Sequence, residues 1–131
     1  MRGANQFPFA DDAGAVYAGF SQGATMGALM IGLAPDRFPR AILMEGGGAE
    51  WSRSVARAYA AAGGTRVLFA CGRARCSEPA RASIRWLGAA GVTARLVADE
   101  RAGHSLAGGL AEKVREAFAW VVEGDARWGA E

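Results

Sequence analysis

The sequence predicts an α/β fold of three layers, with helices on both faces of a mainly parallel sheet of four strands. Three observations predict it. Short apolar runs of strand length alternate four times with longer segments of helix length, a rhythm that argues for parallel strands joined by right-handed helical crossovers. The chain has 131 residues, 51% hydrophobic and 21% charged, which is enough for one packed core and too little for two. No internal repeat, low-complexity stretch or linker divides it, so residues 1–131 are expected to form a single domain. Residues 1–12 read as irregular and 123–131 as a polar tail carrying Trp128.

The elements follow in order. Residues 14–20 read as a first strand buried on both faces, and Gln22–Ala34 as a helix carrying Met26, Leu29, Met30 and Leu33. The other faces of that helix are Ala and Gly, which suits close packing, and Pro35 ends it because the residue before a proline avoids helical angles. Arg40–Glu45 is a short apolar strand closed by Gly46-Gly47-Gly48, followed by a helix from about Glu50 or Trp51 to Ala62. Thr65–Cys71 is a third strand. Ser77 is expected to cap a helix over Glu78–Ala90, with Pro79 in its first turn and Gly91 just beyond its end. Val92–Ala98 alternates as a sheet edge would, and Leu106–Val122 is a last helix whose stripe is Leu106, Leu110, Val114, Phe118 and Val121. Trp51, Trp86 and Trp120 read as packing residues.

Composition narrows the partners. The formal charge is +2, and every basic residue except Lys113 is an arginine. The arginines are scattered along the sequence with no basic block, so no nucleic-acid partner is expected. No apolar run approaches the roughly twenty residues of a membrane span, and no signal-peptide core follows Met1. The compartment is therefore unread. Cys71 and Cys76 are near enough in sequence to bridge, a point the sequence leaves open. Two thiols with one distant histidine do not make a zinc site, and no metal is expected.

The stretch that carries chemistry is Val16–Ala24, where an apolar strand ends in Gly19-Phe20-Ser21-Gln22-Gly23 and a helix begins at once. Strand, glycine-flanked serine and helix are the context of a nucleophile elbow. A serine on so tight a turn has a strained backbone, and Gly19 and Gly23 stand where a Cβ would collide with it. The turn lifts the Ser21 hydroxyl clear of the sheet and aims the Gln22 N–H at a developing oxyanion. His104, the single histidine, lies in Gly103-His104-Ser105 after the fourth strand, at the same end of the sheet as Ser21. It is the only available base for that serine.

With these residues in place the chain resembles the C-terminal half of an α/β-hydrolase, over residues 12 to 122. The wording Gly-Phe-Ser-Gln-Gly is similar to the carboxylesterase, phospholipase and dienelactone-hydrolase branch. The resemblance implies that the four strands match strands five to eight of that fold. It also implies Ser21 as nucleophile, His104 as general base and the Gln22 N–H as half of the oxyanion hole. The implied reaction is hydrolysis of a small-molecule ester or related acyl bond through an acyl-enzyme, without cofactor or metal.

The sequence departs from the family pattern in two places. Where the family carries Gly-x-x-Asp after the seventh strand, this chain reads Gly72-Arg73-Ala74-Arg75, with an arginine in place of the Asp. Three carboxylates are candidates for the acid: first Glu45, at the end of the second strand; then Glu78; then Asp99, in the histidine's own loop. The segment that would supply the first four strands and the second oxyanion donor is not in the sequence. The chain is therefore expected to be a piece of a longer protein, with Met1 an internal start, and to have weak or no activity alone. Its uncovered strand 14–20 is expected to invite self-association. The competing reading is a non-catalytic hydrolase-like domain used for binding or scaffolding.

Overall fold

The computed structural model describes residues 16–106 and 109–125. Four strands and four helices alternate: β1 (Val16–Phe20), α1 (Gln22–Leu33), β2 (Arg40–Met44), α2 (Arg53–Ala61), β3 (Arg66–Cys71), α3 (Ala74–Ala90), β4 (Thr93–Ala98) and α4 (Gly109–Val122). The strands form one sheet in the order β1-β2-β3-β4, and every pair is parallel. The fold is the expected three-layer α/β class. Because all strands run the same way, their carboxyl ends line up: Phe20 pairs with Met44, Met44 with Ala70, and Ala70 with Val97. The loops leaving those ends carry Ser21, Glu45, Gly72 and His104.

Successive side chains on each strand point to opposite faces. Ala41, Leu43, Val67, Phe69 and Cys71 face α1, α2 and α3, where Ile31, Tyr59 and Leu87 complete a buried core. Ile42 and Leu68 face the other way, onto Val121 and Val122 of α4. β3 is buried on both faces from Val67 to Cys71, which is why it reads as an unbroken apolar run. Arginines from the starts of β2 and β3 anchor the end of α4. Arg40 donates to the carbonyls of Val121 at 2.8 Å and Glu123 at 2.7 Å, while Arg66 donates to the Trp120 carbonyl and pairs with Glu123 at 2.9 Å. Cations there satisfy carbonyls the helix leaves open and complement its dipole.

Several elements differ from expectation for identifiable reasons. α3 begins at Ala74, a turn before the expected start, so Ser77 lies inside it and bonds back to the Arg73 carbonyl. Pro79 is then a mid-helix proline that leaves the Arg75 carbonyl without its usual donor. α2 begins at Arg53, because the Ser52 side chain accepts the Val55 N–H and sets the cap there. Phe118 falls off the buried stripe of α4: two steps of four residues rotate it about 80° from Leu110, whereas Ala117 and Val121 stay within about 20°.

α1 packs closely by its small residues, as expected, but is not buried all round. Its small residues Ala24, Gly27 and Ala28 lie against the sheet together with Ile31, while Met26 (56%), Leu29 and Leu33 (87%) are exposed. Gly27 permits that approach, since a Cβ there would strike the Tyr17 ring at 2.1 Å. β1 is likewise not buried on both faces. It is an outer strand, and among the described residues its Ala18 and Phe20 remain exposed. Arginines scattered in sequence also converge in space: Arg53, Arg57 and Arg85 line one cleft of about 300 Å³ beside Trp86, with the Arg53 guanidinium over the Trp86 ring at 5.3 Å. Among the described residues, no helix is long and apolar enough to cross a membrane.

Candidate active site

Ser21 occupies the single position between β1 and α1, with φ 59° and ψ −118°. For a residue bearing a Cβ, that conformation costs on the order of 1–3 kcal/mol and persists only when its surroundings impose it. They do so here. The Ser21 N–H donates to the Met44 carbonyl at 2.7 Å, and the Ser21 carbonyl accepts from the N–H groups of Ala24 and Thr25 at 3.0 and 3.1 Å. The strand ladder thus runs up to the serine and the helix starts on its far side. A Cβ on Gly19 would lie 2.6 Å from the Gly23 backbone, and one on Gly46 would lie 2.6 Å from the Ser21 carbonyl. Gly23 is the exception to the expected crowding. A Cβ there meets nothing within 4 Å, and the residue contributes instead its carbonyl, which accepts from the Tyr17 hydroxyl at 2.5 Å.

The loop after β4 brings His104 over the serine. Its Nε2 lies 2.8 Å from Ser21 Oγ, and its Nδ1 lies 2.6 Å from Glu45 Oε1. The Phe20 ring packs beside the imidazole with centroids 5.3 Å apart. Two backbone bonds tie this loop to the end of β3: Asp99 N–H to the Cys71 carbonyl at 3.0 Å, and Gly103 N–H to the Gly72 carbonyl at 2.9 Å. Gly72 must be glycine for this crossing, because a Cβ would fall 2.0 Å from the Gly103 carbonyl oxygen.

Glu45 follows β2 directly, in left-handed backbone with φ 54°, and its side chain is wholly buried. Oε2 accepts the Gly72 N–H at 2.6 Å, and Oε1 accepts from Arg73 Nε at 2.9 Å as well as facing His104. Burial pushes the carboxyl group up. The bonds from His104, Gly72 and Arg73, with the Arg73 charge, outweigh that effect and hold it below its ordinary value. Of the three candidate acids, only Glu45 reaches the histidine. Glu78 is exposed on α3, and Asp99 accepts from the Arg101 N–H at 3.2 Å and faces its Nε at 3.4 Å.

Gln22 is the first residue of α1, so its N–H has no acceptor within the helix. Cys71 and Cys76 form a disulfide that closes the loop holding Gly72 and Arg73. The two sulfurs and a Glu45 oxygen lie within 4.8 Å of one another, but disulfide sulfurs lack the thiolate that ligates a metal. A cleft of about 190 Å³ opens beside Glu45, lined by Thr25, Glu50, Arg73 and Arg75 among others. Phe20, Gly72 and Arg73 are the site residues that sequence reasoning passed over. The Gly72-Arg73 pair lay in the loop already singled out for its missing Asp.

Comparisons with protein-family models, with curated proteins and with solved structures return no match.

Proposed function

We propose that this chain carries the catalytic residues of a serine hydrolase of the α/β-hydrolase type, acting on a carboxylic ester through an acyl-enzyme. One observation carries the reading: an unbroken relay from Ser21 Oγ to His104 Nε2 at 2.8 Å, and from His104 Nδ1 to Glu45 at 2.6 Å. In this reading His104 takes the Ser21 proton as the oxygen attacks the ester carbonyl carbon, then delivers it to the departing alcohol oxygen. A water molecule repeats the sequence and releases the acid. Glu45 holds the ring with Nδ1–H toward itself and stabilises the imidazolium as it forms. The Gln22 N–H, at the start of a helix, faces the developing oxyanion as one donor.

The relay favours the hydrolase over a domain used only for binding, which has no need of a buried carboxylate aimed at a histidine. Incubation with a fluorophosphonate probe tests it. Covalent labelling that maps to Ser21 and disappears in Ser21→Ala is expected; absence of labelling in the folded chain overturns the reading. Among the described residues β1 is an outer strand paired on one side only, and Met26, Leu29 and Leu33 of α1 are exposed; both features support self-association between copies. Sedimentation of wild type against Leu33→Lys reads this directly, with a concentration-dependent dimer expected in the wild type alone.

A further inference from the structure

The contacts at His104 Nδ1 cannot all be hydrogen bonds at the same time. Glu45 Oε1 lies 2.6 Å from this nitrogen, and Arg73 Nη2 lies 2.9 Å from it. In a neutral imidazole each nitrogen carries either a proton or a lone pair. An ionised carboxylate only accepts, so Glu45 needs Nδ1–H. A guanidinium only donates, so Arg73 needs the lone pair. The ring therefore has two hydrogen-bonded states.

With the proton on Nδ1, Glu45 is satisfied and Nε2 offers its lone pair to the Ser21 hydroxyl. With the proton on Nε2, Arg73 is satisfied, Nε2–H donates to Ser21 Oγ, and the serine has no base. Arg73 acts against Glu45 twice. It competes for Nδ1 through Nη2, and its Nε bond to Oε1 at 2.9 Å offsets the negative charge that draws the proton there.

The guanidinium is not there by chance of a long side chain. The Arg73 carbonyl accepts from the N–H groups of Cys76 and Ser77 at 3.0 and 3.1 Å, Gly72 is locked to Gly103, and the Cys71–Cys76 bridge closes the segment around both.

We propose that Arg73 is a positioning residue that sets the tautomer of His104, drawing the ring toward the form that cannot activate Ser21. The inference rests on the triad reading above. It makes the site self-restrained: Glu45 and Arg73 pull one nitrogen toward opposite states.

The chain has a single histidine, so one pair of ring-nitrogen signals reports the tautomer without assignment. Two-bond ¹H–¹⁵N spectra are recorded at about pH 8.5, where an ordinary imidazole is neutral, for wild type and Arg73→Met. The wild type is expected to show both nitrogens at averaged positions between the protonated and unprotonated limits. In Arg73→Met, Nδ1 moves to the protonated limit and Nε2 to the unprotonated one. The fluorophosphonate labelling rate of Ser21 then rises by the inverse of the wild-type productive fraction, about twofold for an even mixture.

A wild-type spectrum already at the Nδ1–H limit overturns the proposal, and needs no variant to fold. So does an unchanged tautomer in folded Arg73→Met accompanied by slower labelling, the mark of a purely structural arginine. A chain that never labels but whose tautomer shifts as described sinks the hydrolase reading and leaves the role of Arg73 standing.

Discussion

Gly72 donates its backbone N–H to Glu45 Oε2 at 2.6 Å, so the chain leaving β3 clasps a carboxylate that stands at the end of β2. The loop after β3 thus supplies the groups that hold the carboxylate of the neighbouring strand. Glu45 is thereby fixed from both oxygens, in a left-handed backbone position that few residues adopt without such support.

Glu45→Gln is expected to keep the fold and lose the chemistry. The amide still accepts the Gly72 N–H but no longer fixes Nδ1–H or offsets an imidazolium. By analogy with triads whose acid is made an amide, the rate of ester turnover falls by about four orders of magnitude. Steady-state hydrolysis of a short-chain nitrophenyl ester against the wild type measures it, with circular dichroism as the control for folding.

Stability follows the same carboxylate. Burial raises the Glu45 value, but its bonds and the Arg73 charge bring it below the ordinary 4.5. A group whose folded value is depressed stabilises fully above its unfolded value, and that contribution drains as pH falls through the folded one. The Tm gap between wild type and Glu45→Gln should therefore be constant from about pH 7 to about pH 5 and narrow below that. A gap that widens on acidification contradicts the sign.

What the sequence revealed, and what it did not, divides along physical lines. The rhythm of strands and helices, the tight strand-to-helix turn at Ser21 and the strand-end placement of His104 are local patterns, and they read through. Glu45 stood first of three candidate carboxylates because it closes the strand before a glycine-rich loop, and of the three it is the one that reaches His104. Arg73 and Phe20 were not legible, because their part in the site depends on which loops cross, and no spacing in the chain encodes the Gly72–Gly103 contact. α1 read through only in part, since its Ala and Gly residues mark the closely packed face but its apolar content does not show that Met26, Leu29 and Leu33 are left exposed when Gly27 closes on Tyr17.

The two glycines flanking the serine should behave oppositely. Gly19→Ala forces a Cβ to within 2.6 Å of the Gly23 backbone, where nothing flexible can yield. A loss of about 1–3 kcal/mol and of Ser21 labelling is expected. Gly23→Ala meets open space inside α1, and replacing a helical glycine should stabilise by about 0.5–1 kcal/mol with labelling retained. Urea denaturation of the two variants side by side decides between them.

The disulfide should matter more to the site than to the fold. A bridge between Cys71 and Cys76 closes a short loop, for which loop-closure entropy gives only about 2 kcal/mol. Yet that loop carries the Gly72 N–H that holds Glu45 and the Gly72 carbonyl that anchors the loop of His104. Cys71→Ser/Cys76→Ser is therefore expected to remain folded with a lowered Tm. Its Ser21 labelling should slow by about tenfold, equivalent to about 1.4 kcal/mol in the barrier. A dithiol reductant acting on the wild type should reproduce the slower labelling, and reoxidation should reverse it. Labelling that is unchanged after full reduction, confirmed by counting thiols, would show that the backbone bonds of Gly72 hold Glu45 and the loop of His104 without the bridge.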